Sequence, residues 1–225
     1  MKLGILADIH EAVPLLERAL ARFEAERIDR VVILGDLFET GARIEAIASL
    51  LSDSGAVGVY GNHDHGLCVD PGPEVRAEFS PGLLRFMGSL RPRLEIGGAL
   101  FAHREPWLDG ARVDQIWHVD EDPLTPELVA RSFDAVPHRW IFVGHFHRWL
   151  ATTRSGPLPW DGRSPLVLGG PEPALVVVNA VCEGYAATFE TGAGRLQPLD
   201  LYEPGERPPS RPVPLLPGPP PTRPA

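Results

Sequence analysis

RVVILGDLFE, residues 30–39, sets an unbroken apolar run, Val31 to Leu34, directly against Gly35 and Asp36. A strand covered on both faces needs such a run, whereas a strand with one wet face alternates. The segment therefore reads as an inner strand, and the flanking glycine favours that over a short buried helix. The same pattern recurs on either side. Lys2 to Ala7 is a second apolar run, followed from about Val13 to Glu26 by a helical pattern in which Leu16, Leu20 and Phe23 share one stripe. Beyond Asp36, Ile44, Ile47 and Leu51 share the face of another helix, and Ala56 to Tyr60 forms a third strand candidate. The first part of the chain thus reads as βαβαβ, a sheet covered by helices. Further runs at Ala99–Ala102, Trp140–Val143, Leu166–Leu168, Ala174–Asn179 and Tyr185–Phe189 predict a C-terminal third that is mostly β.

Polar residues stand where these runs end. Asp8 and His10 follow the first, Asp36 the second, Asn62 and His63 the third, His103 the fourth, and His145 and His147 the fifth. The C-terminal ends of strands in an α/β sheet share an edge, so residues far apart in sequence would meet in one crevice. Gly35, Gly61 and Gly144 directly precede Asp36, Asn62 and His145, where they let the backbone turn and approach closely. Each group alone is weak, since Asp-x-His or Gly-Asp often marks nothing more than a turn. Jointly they are strong: five of the eight histidines fall in these strand-end groups. Carboxylate, imidazole and amide donors without thiolates suit hard or borderline divalent ions. Two such ions about 3.5–4 Å apart, sharing a carboxylate and acidifying a water between them, would perform displacement at phosphorus.

With 225 residues, 44% hydrophobic and 23% charged, the chain has the balance of one globular domain, expected at residues 1–202. Residues 203–225 turn to EPGERPPSRPVPLLPGPPPTRPA, where proline after proline excludes helix and inner strand. That composition predicts a disordered tail, whose RPVPLLP stretch has the makings of a polyproline II ligand for a partner protein. A net charge of −9 argues against a nucleic-acid footprint. No apolar run approaches the roughly 18 residues of a membrane span, and charge interrupts the N-terminus before a secretory segment develops, so a cytoplasmic protein is expected. Cys68 and Cys182 are too few for a disulfide framework and read as buried or incidental thiols.

In order, DIH (8–10), GDLFE (35–39), GNHD (61–64), the lone His103 and GHFH (144–147) resemble the signature blocks of the calcineurin-like metallophosphoesterase superfamily, and of its small bacterial-type members in particular. The resemblance implies an α/β fold, a four-layer α/β/β/α sandwich of two mixed sheets flanked by helices, with a dinuclear site at the C-terminal edge of the strands. It implies that Asp8, His10 and His147 hold one divalent ion and Asn62, His103 and His145 the other, with Asp36 bridging; manganese leads, with iron, zinc or nickel as alternatives. His63 would be the catalytic histidine, beside a metal-bridging hydroxide, in cleaving phosphodiester or phosphomonoester bonds of a small or nucleotide-like substrate. A non-catalytic protein-binding module on the same fold, or a nuclease, is the alternative.

Four neighbours take smaller roles as supports or substrate contacts: Glu39, Asp64, His65 and Arg104. The family block commonly ends GDxxD, so Glu39 stands where a carboxylate would orient His63. Thr40 and Asp64 depart from the protein Ser/Thr phosphatase pattern, which weakens a phosphoprotein or diadenosine tetraphosphatase reading. Trp107, Trp117 and Trp160 are candidates to stack a nucleobase, with ordinary packing the better expectation for each; His118 and His138 read as structural.

Overall fold

The computed structural model describes residues 1–117, 125–203 and 205–206. Nearly all of the expected tail, its RPVPLLP stretch included, lies outside the described residues, as does His118. Among the described residues, no helix is long and apolar enough to cross a membrane.

The apolar runs become strands of two six-stranded mixed sheets. In the first, β1 (Lys2–Leu6), β2 (Arg30–Leu34) and β3 (Val57–Val59) lie parallel. Beyond β1 the sheet continues antiparallel through β11 (Tyr185–Glu190), β12 (Arg195–Asp200) and the short β9 (Leu166–Val167). In the second, β5 (Ala99–Ala102), β6 (Trp140–Val143) and β10 (Ala174–Val177) are parallel neighbours. They are flanked by antiparallel β4 (Arg93–Ile96) on one side and by β7 (Leu150–Thr153) and β8 (Gly156–Pro157) on the other.

Alternation along each strand builds three cores. From the first sheet Leu3, Ile5, Val32, Leu34 and Phe189 face the second, meeting Phe101, Phe142 and Val176. Leu6, Val31 and Ile33 face outward to α1 (Val13–Ala25) and α2 (Ile44–Asp53) through Leu16, Phe23, Ile47 and Leu51. Leu100, Ile141 and Leu175 face outward from the second sheet to Val129 and Phe133 of α7 (Pro126–Ala135). Helix, sheet, sheet and helix are thus the four layers, and Val31 to Leu34 are continuously apolar because both faces of β2 are covered. Four shorter helices sit in the loops after β3 and β5: α3 (His65–Cys68), α4 (Pro73–Glu78), α5 (Pro81–Met87) and α6 (Val113–Ile116).

β4, β7, β8 and β12 were not legible as strands. RLEI of β4 and LATT of β7 lack an unbroken apolar run, β8 is two residues long, and β12 carries Pro198 in its interior, which ordinarily demotes a strand. The register resolves the conflict. β9 pairs only with Arg195 and Leu196, so Pro198 lies past its end and no ladder needs the missing N–H.

Candidate metal centre

The polar strand ends converge, but from two sheets rather than one. Asp8, His10, Asp36, Asn62 and His63 follow β1, β2 and β3 of the first sheet, while His103, His145 and His147 follow β5 and β6 of the second. The crevice is the mouth between the sheets. Its loops bond to one another: Asp8 N–H donates to Gly35 O (3.0 Å), Ile9 N–H to Asp36 O (2.7 Å), and Gly144 N–H to His103 O (3.1 Å). His145 N–H donates to the Asp8 carboxylate (2.9 Å), and His63 N–H to Asp36 Oδ1 (3.0 Å).

Asp8, His10, Asp36, His145 and His147 all hold positive φ, between 41° and 68°. Outside glycine this backbone is strained, and its clustering among proposed ligands marks a site held open by its surroundings. Gly35 (φ 91°) and Gly61 allow the packing of these loops. A Cβ on Gly35 would lie 2.5 Å from Gly61 N, and one on Gly61 would overlap the Asp36 carboxylate.

The donors fall into two sets. Asp36, His103 and His145 form one, all buried; Asp8, His10 and His147 form the other. Asn62 joins the first: its Oδ1 is 2.9 Å from His103 Nε2 and 3.0 Å from His145 Nδ1, and those two nitrogens are 3.2 Å apart. In the second, His10 Nε2 is 3.2 Å from His147 Nε2, which is 3.6 Å from Asp8 Oδ1. Asp36 Oδ2 lies between, 3.4 Å from His103 Nε2 and 3.7 Å from His10 Nε2.

Two observations test whether these residues fit divalent ions. Metal–ligand bonds of about 2.1 Å give donor–donor edges of about 3.0 Å in an octahedron and about 3.4 Å in a tetrahedron, which most of these separations approach. Further, His103 Nδ1–H donates to Leu34 O at 2.7 Å. A neutral His103 then turns its Nε2 lone pair toward an amide oxygen, an imidazole nitrogen and a carboxylate, a meeting of acceptors that only a proton or a metal cation satisfies. The residues fit.

Electrostatics follow the same divide. Burial works to raise the Asp36 pKa, but His103, with His10 and His63, outweighs it and holds the carboxyl well below the usual range. Burial works to lower His103, but Asp36 raises it to about 9. His147 likewise resists burial and reaches about 11 through its contacts with Asp8 and Cys182. Burial lowers His145, aided by Arg104 and His103, and burial lowers His10 despite Asp36 and Asp8.

His63 stands beside both sets, with donors within 4.8 Å of those of His10 and Asp36. Its ring is edge-on to His10 (5.0 Å between centroids) and tilted against Trp117 (5.4 Å). Glu39 is exposed and makes no hydrogen bond to His63, so the pairing expected of it is absent; its side chain lies at the surface beyond buried Leu37. Asp64 has a different task. Its buried carboxylate accepts from Leu37 N–H (2.9 Å) and Gly61 N–H (2.8 Å), joining the Asp36 and Asn62 loops, and burial with nearby Asp36 raises it to about 7. His65 is tied by Nε2 to Ala111 O at 3.1 Å, away from the donor sets. Arg104 is buried, with Nε donating to Glu105 at 3.1 Å and its guanidinium over Phe146.

Of the tryptophans named as stacking candidates, Trp117 lies against His63, Trp107 lies under Arg131, and Trp160 packs on Trp149. His138 pairs with Glu95 at 3.3 Å. The cysteines separate. Cys68 is packed beside the core of the first sheet and pushed up by burial, whereas Cys182 is not incidental: its Sγ lies 3.9 Å from His147 Nδ1. No spacing in the sequence links those two residues.

The sequence profile of the calcineurin-like phosphoesterase superfamily domain matches residues 1–160. A metallophosphoesterase from Sphaerobacter thermophilus superposes with a TM-score of 0.71 at 21% identity, over 89% of this chain and 87% of its own. A structure described as a novel archaeal phosphodiesterase (TM-score 0.53) and the protein TT1561 of Thermus thermophilus (0.55) each share 14% identity over 89% of this chain and 99% of theirs. At these identities the likeness is one of fold. No curated protein matches the sequence.

Proposed function

Because the chain belongs to the calcineurin-like phosphoesterase superfamily, we propose that it hydrolyses phosphodiester or phosphomonoester bonds of a small, nucleotide-like substrate with two divalent ions, manganese foremost. Asp8, His10 and His147 would hold one ion and Asn62, His103 and His145 the other, with Asp36 shared. The observation that carries the reading is the place of Asp36 Oδ2, between His103 Nε2 (3.4 Å) and His10 Nε2 (3.7 Å) and so between two complete donor sets. Bound there, the ions would neutralise phosphate charge and acidify a water enough to attack phosphorus near neutral pH.

The protein's own groups supply the rest. The Leu34 carbonyl fixes the tautomer of His103, and the backbone N–H of His145 orients Asp8. His63 is proposed to face the phosphate rather than an ion, stabilising its charge or protonating the departing oxygen. Its ring is held against His10 and Trp117, beside both donor sets. The net charge of −9 favours a small substrate over a nucleic-acid polymer.

Manganese-reconstituted protein should hydrolyse an aryl phosphate monoester or diester. Asp36→Asn should lose both activity and metal, whereas His63→Asn should keep the metal and lose the rate. Inactivity on both esters with manganese, iron, zinc and nickel would overturn the reading. Loss of metal in His63→Asn would make that residue a ligand.

A further inference from the structure

We propose that Cys182, Glu183 and the outer edge of His147 form a third metal site, for a thiophilic divalent ion such as zinc or cadmium, which shares His147 with the centre between the sheets. The ring of His147 has two working edges. Nε2 faces Asp8 Oδ1 (3.6 Å) and His10 Nε2 (3.2 Å), while Nδ1, across the ring, faces Cys182 Sγ at 3.9 Å. Donor atoms of His147, Cys182 and Glu183 all lie within 4.8 Å of one another, and all three residues are half-buried, within reach of an ion from solvent.

The turn bearing Cys182 is anchored to the ligand loop. Val181 N–H donates to Ala7 O (2.8 Å), Cys182 N–H to Asp8 O (3.2 Å) and Gly184 N–H back to Val181 O (2.8 Å). Gly184, at φ 87°, seats the turn against the ring of Tyr202. The thiol is therefore fixed relative to His147 rather than carried on a loose loop.

Donor chemistry separates this set from its neighbour. The inner sets hold only carboxylate, imidazole and amide, which suit manganese; the outer set adds a sulfur, which selects zinc or cadmium. Zn–S bonds of about 2.3 Å and Zn–N bonds of about 2.0–2.1 Å make a tetrahedral S···N edge of about 3.6 Å, so closing 3.9 Å asks for a shift of a few tenths of an ångström. Coordination replaces the Sγ–H proton and the Nδ1–H proton, both released to solvent, with Glu183 as the third ligand and water as the fourth. An ion held there draws electron density from the imidazole that serves the inner centre, so thiophilic ions should inhibit at concentrations where manganese only activates.

Cadmium titrated into manganese-loaded protein should produce the ultraviolet thiolate-to-cadmium charge-transfer absorption at one equivalent and raise the metal content from two to three. Cys68→Ser should leave that signal intact, Cys182→Ser should remove it, and Glu183→Gln should weaken cadmium binding about tenfold or more. Inhibition by zinc should lose its steep onset in Cys182→Ser. No charge-transfer signal in the wild type, or its persistence in Cys182→Ser, would overturn the proposal. The absorption is read without substrate, so its failure is distinct from a failure of phosphoester hydrolysis.

Discussion

Gly35→Ala asks whether the metal centre depends on backbone contact between the β2 and β3 loops. The alanine Cβ would stand 2.5 Å from Gly61 N and 2.7 Å from both Gly61 Cα and His103 Nδ1. Two of those atoms are backbone, and the third is held to Leu34 O at 2.7 Å, so no flexible side-chain end can swing aside. Gly35 also sits at φ 91°, where a Cβ is strained. Gly41→Ala is the matched control: φ is 86° there, and nothing lies within 4 Å of an added Cβ. Left-handed strain alone should cost Gly41→Ala about 1–2 kcal/mol. Gly35→Ala adds overpacking of about 1–3 kcal/mol, for a total of about 2–5 kcal/mol. Urea unfolding of the metal-free proteins measures the difference, and elemental analysis after manganese reconstitution measures retained sites. The expected outcome is a lower urea midpoint for Gly35→Ala than for Gly41→Ala, with metal lost from the side of His103. Equal destabilisation of the two variants, with both ions retained, would refute the argument.

Trp117→Ala should lower kcat by on the order of tenfold to a hundredfold with KM little changed, and Trp117→Phe should recover most of it, because the ring lies against His63; equal kcat in wild type and Trp117→Ala would show that the contact is idle. Glu39→Gln should leave rate and pH profile unchanged, since its carboxylate makes no bond to His63; a shifted profile would contradict the structure. The metal-free protein should lose melting temperature as pH rises from 6.5 to 9. His103 (about 9), His147 (about 11) and Asp64 (about 7) all have raised folded-state values, so their contribution is present below the unfolded values and is lost as pH rises through the folded ones. The lowered values of His10 and His145 act below 6.5, outside that window. Manganese should flatten the slope, and a flat slope without metal would count against the assignment.

The inner strands of the fold were legible because burial on both faces leaves an unbroken apolar run, as at Val31 to Leu34. β7 and β12 were not, since LATT offers no unbroken apolar run and an internal proline argues against a strand until the register of its partners is known. At the site, residue types in the DIH, GDLFE, GNHD and GHFH blocks pointed to one crevice. Their backbone conformation was invisible: Asp and His tolerate positive φ better than most residues, but nothing local demands it of Asp8 or His147, and the surrounding loops impose it. Glu39 misled because motif position stood in for direction, and the side chain points outward. Cys182 could not be found, because its nearness to His147 comes from the β10–β11 turn meeting the loop after β6, 35 positions away in the chain.

The division of the donors between two sheets makes the centre a report on assembly. Asp8 and Asp36 reside in one sheet and His103 and His145 in the other, so neither sheet alone can offer a complete set. The loop of Asp8 is also clasped by Val181 and Cys182, and β1 gains its second neighbour only when β11 arrives near the end of the described chain. During synthesis, partial chains would present scattered carboxylates and imidazoles of ordinary affinity. The proposed pair of sites would be complete only once both sheets have come together, and metal loading would then act as a latch on a finished sandwich.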